Sequence, residues 1–200
     1  MDRQVVGSSL RWGTVARAMA RDKVYTRAGD DGTTGLLFGG RVAKDSALPR
    51  AYGAVDEAQA FLGLARAEAG KGTELDDVLV HVCRDLWVLM AELATLPENR
   101  DKLVDGKTRV TEDMVIGLER LIDSLDERFV PPTEFVVPGQ HRVSALLDVG
   151  RTVARRAERL SLVAAPPPSQ ACPYLNRLSD LLWTLARWQE GESLPVKDVR

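Results

Sequence analysis

The chain has 200 residues, 44% of them hydrophobic, with 27 Lys+Arg against 29 Asp+Glu and a formal net charge of −2, enough for one domain with a substantial core. A charge balance so close to neutral gives no bulk attraction to nucleic acid or to an anionic membrane surface, so any cationic site must be local. The apolar runs fall well short of the roughly 20 residues that cross a bilayer, and Cys83 and Cys172 alone make neither a zinc site nor a disulfide framework, which fits a reduced cytoplasm.

Residues 1–22 carry arginines and few acids and lack a long apolar stretch. They read as a poorly ordered or loosely helical extension, with an organelle transit role as the alternative. Residues 23–190 then form one helical domain, and 191–200 a tail. The stretch "YTRAGDDGTTGLLFGGR", Tyr25 to Arg41, holds five glycines, three threonines and two adjacent aspartates. It is too polar for a core, and is either a plain turn or a cradle for phosphate.

Helical periodicity begins near Ala51, where Val55, Gln59, Leu62 and Ala65 share a stripe that stops at Gly70 and Gly72. A second helix follows from Leu75, Val78, Leu79, Val82, Leu86, Leu89, Met90 and Leu93, closed by Pro97. Thr111 is placed to cap a third, with Met114, Leu118, Leu121, Leu125 and Phe129 on one face. The fourth spans about Val143 to Ala165, and the fifth opens at Pro173 and runs through Trp188. Apart from extended pieces near Tyr25 and from Phe135 to Val137, no strand alternation is visible. The reading is an all-α bundle of five helices with a glycine-rich N-terminal arm.

Two helices carry polar stripes. On the fourth, Leu146, Gly150, Val153, Ala157 and Leu160 make an apolar face while Asp148, Arg151, Arg155 and Arg159 make another. Arginines at this spacing repel one another, so the stripe is either a solvated face partly neutralised by Glu158 and Asp148 or a clamp for a polyanion. On the fifth, Asn176, Asp180, Trp183 and Arg187 share a stripe beside a leucine-rich surface, and Asp56 and Glu57 add acids on the first. If buried, these groups need partners from neighbouring helices or a ligand. His81 and His141 are the only histidines, neither in a Glu-x-x-His setting, which argues against a di-iron bundle and against Ser-His-Asp or Cys-His hydrolysis. His81 reads as a surface or packing residue. The glycine loop matches neither a Walker A nor a dinucleotide fingerprint.

Three blocks, "YTRAGDDGTTGL" with "GGRVAK" behind it, "AYGAVDEA", and the pair "FVVPG…RTVARRAER" and "YLNRLSDLLW", together resemble the PduO-type ATP:cob(I)alamin adenosyltransferases. The likeness spans Tyr25 to Trp188 in family order. It implies a homotrimer of five-helix bundles binding ATP and a corrinoid at subunit interfaces, supplied by a corrinoid reductase and serving an adenosylcobalamin-dependent mutase. By the same resemblance, Thr26, Arg27, Ala28, Gly29, Thr34, Gly35 and Lys44 surround the triphosphate, joined by Arg155, Arg156, Glu158, Arg159 and Asn176. Arg151 pairs with Asp56 across the subunit boundary, Phe135 presses the corrin's lower face, Trp183 and Asp180 complete the corrinoid side, and Mg2+ accompanies ATP. Asp56, Arg151, Arg155 and Phe135 are thus the expected catalytic set.

Departures fall mostly on the corrinoid side. Gln140, His141 and Arg142 stand where smaller residues are usual and are expected to narrow or re-aim that pocket; Trp183 replaces a phenylalanine, Ala58 a leucine and Arg50 a glutamate. They leave a second reading, an ATP-binding corrinoid escort or sensor without efficient catalysis, and a third, a purely structural bundle.

Overall fold

A computed structural model describes residues 25–199; the extension expected at 1–22 lies outside the described residues. A short antiparallel hairpin, β1 (Thr33–Gly35) and β2 (Arg41–Ala43), precedes the helices. The described residues form five α-helices, α1 (Ala47–Ala69), α2 (Glu74–Leu93), α3 (Glu112–Asp126), α4 (Arg142–Ala164) and α5 (Ala171–Glu190). Between α3 and α4 lies β3 (Val136–Val137), and after α5 comes β4 (Leu194–Pro195), antiparallel to β3.

Helix α4 sits between α1 and α5, with α2 against α1 and α3 against α5. The α1–α4 contact is built from small side chains. Ala51, Ala54, Ala58 and Ala65 on α1 and Gly150, Ala154 and Ala157 on α4 are all buried, which brings the two backbones close. A methyl group on Gly150 would come within 3.1 Å of Leu62 Cδ2, so a larger residue there would have to displace the Leu62 side chain by a few tenths of an ångström. The ion pairs fix direction: Arg156 reaches Glu57 near the start of α1, and Arg142 reaches Glu68 near its end at 3.2 Å, so α1 and α4 run antiparallel. Likewise Asn176 early in α5 meets Glu158 late in α4, and Arg187 late in α5 meets Asp148 early in α4.

Local chemistry sets the helix ends. Thr73 Oγ1 accepts from the Asp76 amide at 3.2 Å and caps α2, worth about 1 kcal/mol. Gly70, with φ of 86°, closes α1, in a backbone region that glycine enters without a Cβ penalty. Between α2 and α3, buried Glu92 accepts from the Val110 amide at 2.7 Å and from the Ser169 hydroxyl, clipping two connectors to the end of α2.

The structure departs from the expected elements at several points. Helix α1 starts at Ala47 rather than Ala51, because Pro49 falls in the first turn, where its missing N–H costs nothing. Helix α5 begins at Ala171, with Pro173 again in the first turn. Phe129 lies beyond the end of α3 and is not part of its buried face. On α4 the buried face is centred on Val143, Leu147, Gly150, Ala154, Ala157, Ser161 and Ala164, with Leu146 and Leu160 only partly buried at its edge. No strand forms at Tyr25, whereas the 33–43 hairpin was not anticipated. Residues of the expected tail pair back onto the domain through β4.

Candidate active site

The glycine-rich arm packs as a compact loop at the α1 N-terminus, against the end of α2. The Leu37 amide donates to the Ala94 carbonyl at 2.8 Å, and a Cβ on Gly40 would meet Leu96 Cδ1 at 2.4 Å. Within the loop, Asp31 accepts from the Thr33 amide at 2.9 Å and its hydroxyl at 2.8 Å, and Arg41 donates to the Ala28 carbonyl and to Thr33. The Thr33 hydrogen bonds, helped by Arg41, hold the Asp31 carboxyl below its ordinary range. Thr26 Oγ1 accepts from the Ala28 amide at 3.3 Å. Gly29 has no room for a side chain: a Cβ would lie 2.9 Å from the Thr33 carbonyl oxygen and 3.1 Å from Lys44 Nζ. The Lys44 amine therefore rests directly over bare backbone. Arg27 takes a left-handed backbone conformation, φ 61°, with its guanidinium 5.7 Å from the Tyr25 ring centroid. Thr26, Arg27, Ala28, Gly29, Thr34, Gly35 and Lys44 thus occupy one loop, with a lysine amine and backbone amides concentrated in it.

At the same end of the bundle lies the second half of α4. Arg155, Arg156 and Arg159 are all exposed. Arg156 is tied to Glu57, but Arg155 and Arg159 make no ion pair among the described residues. Glu158 accepts from Asn176 Nδ2 at 3.1 Å, and Asn176 Oδ1 accepts from Arg177 at 3.0 Å, which holds the Asn176 amide in one orientation. The arginine stripe is therefore not neutralised along its length. Among the described residues its one acid partner is Asp148, on Arg151, while Glu57 ties the neighbouring Arg156.

One to two turns towards the α4 N-terminus, a cleft of about 500 Å³ opens between the 132–138 segment, α4 and α5. Phe135, Arg151 and Trp183 line it together, as do Asp148 and Arg187. Behind it runs a charged network: Arg187 Nη2 donates to Asp148 Oδ2 at 2.6 Å and to Ser144 Oγ at 3.2 Å, while its Nε lies 3.3 Å from Glu190 Oε2. Asp148 Oδ1 also receives Arg151 Nε at 3.2 Å. Asp148 and Arg187 were placed on polar stripes by sequence but not assigned to the site; the signal was there, since Arg187 follows Trp183 by one turn and Asp148 precedes Arg151 by three residues.

Other expected residues lie elsewhere. Asp180 is exposed, paired with Arg177 at 2.8 Å, and does not line the cleft. Asp56 is exposed on α1, and within this chain the partner of Arg151 is Asp148. Gln140, His141 and Arg142 are exposed, Arg142 turns to Glu68, and none lines the cleft. Ala58 is fully buried and does not line the cleft.

A separate buried cluster joins α2 to α5. Tyr174 Oη donates to Asp85 Oδ2 at 3.1 Å, and exposed His81 lies 3.5 Å from the same oxygen. Burial raises the Asp85 carboxyl and pushes the Tyr174 hydroxyl well above its ordinary value. Burial likewise raises both thiols, Cys83 and Cys172, which are unpaired.

The geometry defines a class: a helical bundle that presents an uncompensated cationic helix face and a bare-backbone loop beside an aromatic-edged, charge-backed cleft. The cobalamin adenosyltransferase family model matches residues 24–189. A corrinoid adenosyltransferase of Citrobacter freundii is 40% identical over 171 residues, covering 84% of this chain and 95% of its own. One from Mycobacterium bovis is 41% identical over 170 residues, covering 82% and 87%. A variant PduO-type ATP:corrinoid adenosyltransferase from Lactobacillus reuteri, solved with cobalamin and ATP, superposes with a TM-score of 0.77 at 26% identity, over 89% of this chain and 98% of its own. The chain belongs to the cobalamin adenosyltransferase family.

Proposed function

We propose that the chain transfers the 5′-deoxyadenosyl group of ATP to cob(I)alamin, giving adenosylcobalamin and triphosphate, with the glycine loop and α4 arginines on the ATP side and the Phe135–Trp183 cleft on the corrinoid side. The observation that supports this division most strongly is that Arg151 in the cleft and the unpaired Arg155 and Arg159 follow one another at one-turn intervals on α4. Nucleophile and leaving group are thereby brought to adjacent stretches of one helix.

In this reading Co(I) donates its electron pair to C5′, and the C5′–O bond breaks with its electrons passing to the triphosphate. No proton moves in that step, so the protein's task is to orient the reactants and stabilise the departing negative charge. Arg155 and Arg159 are free to bind phosphate oxygens through their planar donor sets, while Glu57 fixes Arg156 and Asn176 steadies Glu158. Lys44 acts as a point charge over the loop. Phe135 excludes water and a lower ligand from the corrin face, making the cobalt easier to reduce.

Mg2+ fits the loop as a phosphate-held ion. Among the described residues no group of three or more Asp, Glu, His or Cys gathers as a cage, and the side-chain oxygens the loop carries are threonine hydroxyls and the exposed carboxylates of Asp30 and Asp31. Bound there with waters, it would offset charge on the phosphates. Trimerisation is proposed through α1 and α4, with exposed Asp56 of one subunit approaching Arg151 of the next. No described helix is long and apolar enough to cross a membrane. A reducing cytoplasm, a corrinoid reductase and an adenosylcobalamin-dependent mutase are the proposed setting and partners. The direct test of the bond cleaved is product analysis: intact triphosphate is expected, and pyrophosphate with phosphate as the primary products would oppose the reading.

A further inference from the structure

Phe135 is 90% exposed, so no packing fixes its ring and its position is set by the backbone that carries it. That backbone belongs to "VPPTEFVVPG", which contains no helix and has three prolines unable to donate hydrogen bonds. Among the described residues, the hydrogen bonds and ion pairs from 130–138 to the rest of the chain run to residues 194–197. Val136 and Val137 pair with Pro195 and Leu194, the Val196 amide donates to the Phe135 carbonyl at 2.9 Å, and Lys197 pairs with Glu134. A second crevice of about 380 Å³ opens between 130–134 and 191–197. The same return strand is anchored from behind. Gly191, φ 72°, turns the chain at the end of α5, and Ser193 Oγ donates to Glu190 Oε2 at 2.8 Å, on the carboxylate that faces Arg187 in the cleft network.

We infer that the segment Leu194–Lys197, β4 and the turn that follows it, positions Phe135 for the corrinoid, with Val196 the positioning residue through its backbone amide. The inference rests on the role proposed above for Phe135. It predicts that the corrinoid side can be loosened without touching the ATP side, because among the described residues no hydrogen bond or ion pair joins the segment to the glycine loop or to Arg155 to Arg159.

The test compares Val196→Pro, which removes the donating N–H, with Val196→Ala, which keeps it. Hydrogen exchange over 133–138 should accelerate about five-fold in Val196→Pro, the effect of one lost backbone hydrogen bond, and stay unchanged in Val196→Ala. The apparent Kd for cob(II)alamin with Mg·ATP present, followed by the optical and EPR signature of four-coordinate Co(II), should rise about five-fold with it, while KM for ATP holds within about two-fold. Lys197→Ala should move the same quantities in the same direction by less. Unchanged exchange in Val196→Pro, or faster exchange with unaltered cob(II)alamin binding, would overturn the inference. Equal losses in KM for ATP would also overturn it, by marking a general structural role. Absence of turnover by the unaltered protein would instead count against the proposed function, and exchange and cob(II)alamin binding would still decide the role of the strand.

Discussion

Replacing Asp148 by alanine should be among the most destabilising single changes in the cleft. Its side chain is 12% exposed, that of Arg187 2% and that of Glu190 fully buried, so the substitution strands a guanidinium in a desolvated place. Removing one partner of such a pair costs about 3–5 kcal/mol. The lower end applies because Glu190 remains 3.3 Å from Arg187 Nε and Ser144 still accepts at 3.2 Å. For a chain of this size about 3 kcal/mol corresponds to a fall in Tm of roughly 6–12 °C, measurable by differential scanning calorimetry. Asp148→Asn retains the shape and one acceptor oxygen for Arg187, and should lose an intermediate amount. Since Asp148 also receives Arg151 at 3.2 Å, both variants should further weaken corrinoid turnover. A Tm change under about 3 °C for Asp148→Ala, equivalent to roughly 1 kcal/mol, would refute the reasoning, because it would mean that water entering through the cleft already solvates Arg187.

Arg155→Ala should lower kcat by about 10²–10³-fold, the usual effect of deleting one donor that stabilises developing charge, with Tm unchanged; near-normal turnover would remove Arg155 from the leaving-group site. Gly29→Ala forces a Cβ to 2.9 Å from the Thr33 carbonyl, a strain of about 1–3 kcal/mol that should shrink the thermal shift produced by Mg·ATP while leaving the helices folded by circular dichroism. Charge reversal of Asp56 or of Arg151 should lower the trimer fraction on size-exclusion chromatography, and an unchanged profile would count against that interface. Asp85 has its folded pKa raised by burial, so the stability it contributes is present below the ordinary aspartate pKa and lost as pH rises through the folded value. Asp85→Asn, whose carbonyl still accepts from Tyr174, should therefore raise Tm at neutral pH, with the gain vanishing in acid; a gain that persists below pH 4 would contradict this.

The helices were legible because leucine and valine recur at threes and fours on α2 and α3, and because Gly70 marks the end of α1 in a way the backbone demands. The α4 face was misjudged by about one residue for a physical reason: its core contacts are Gly150, Ala154 and Ala157, whose small side chains contribute closeness rather than a conspicuous apolar stripe. The 33–43 hairpin escaped notice because strands of three residues leave no alternation to read, and β3 and β4 are shorter still. On the site, Phe135, Arg151 and Trp183 were named from sequence and do meet in one cleft. The pairing of Arg187 with Asp148, and of the strand after α5 with Phe135, depends on segments dozens of residues apart, which no local pattern encodes.

The most direct test of the account is anaerobic: protein, Mg·ATP and chemically reduced cob(I)alamin, followed optically. Conversion to a light-sensitive product with the spectrum of adenosylcobalamin, dependent on ATP, is the predicted result. Persistence of the cob(I)alamin spectrum, with Mg·ATP still raising the Tm of the protein, would contradict adenosyl transfer while leaving nucleotide binding in place.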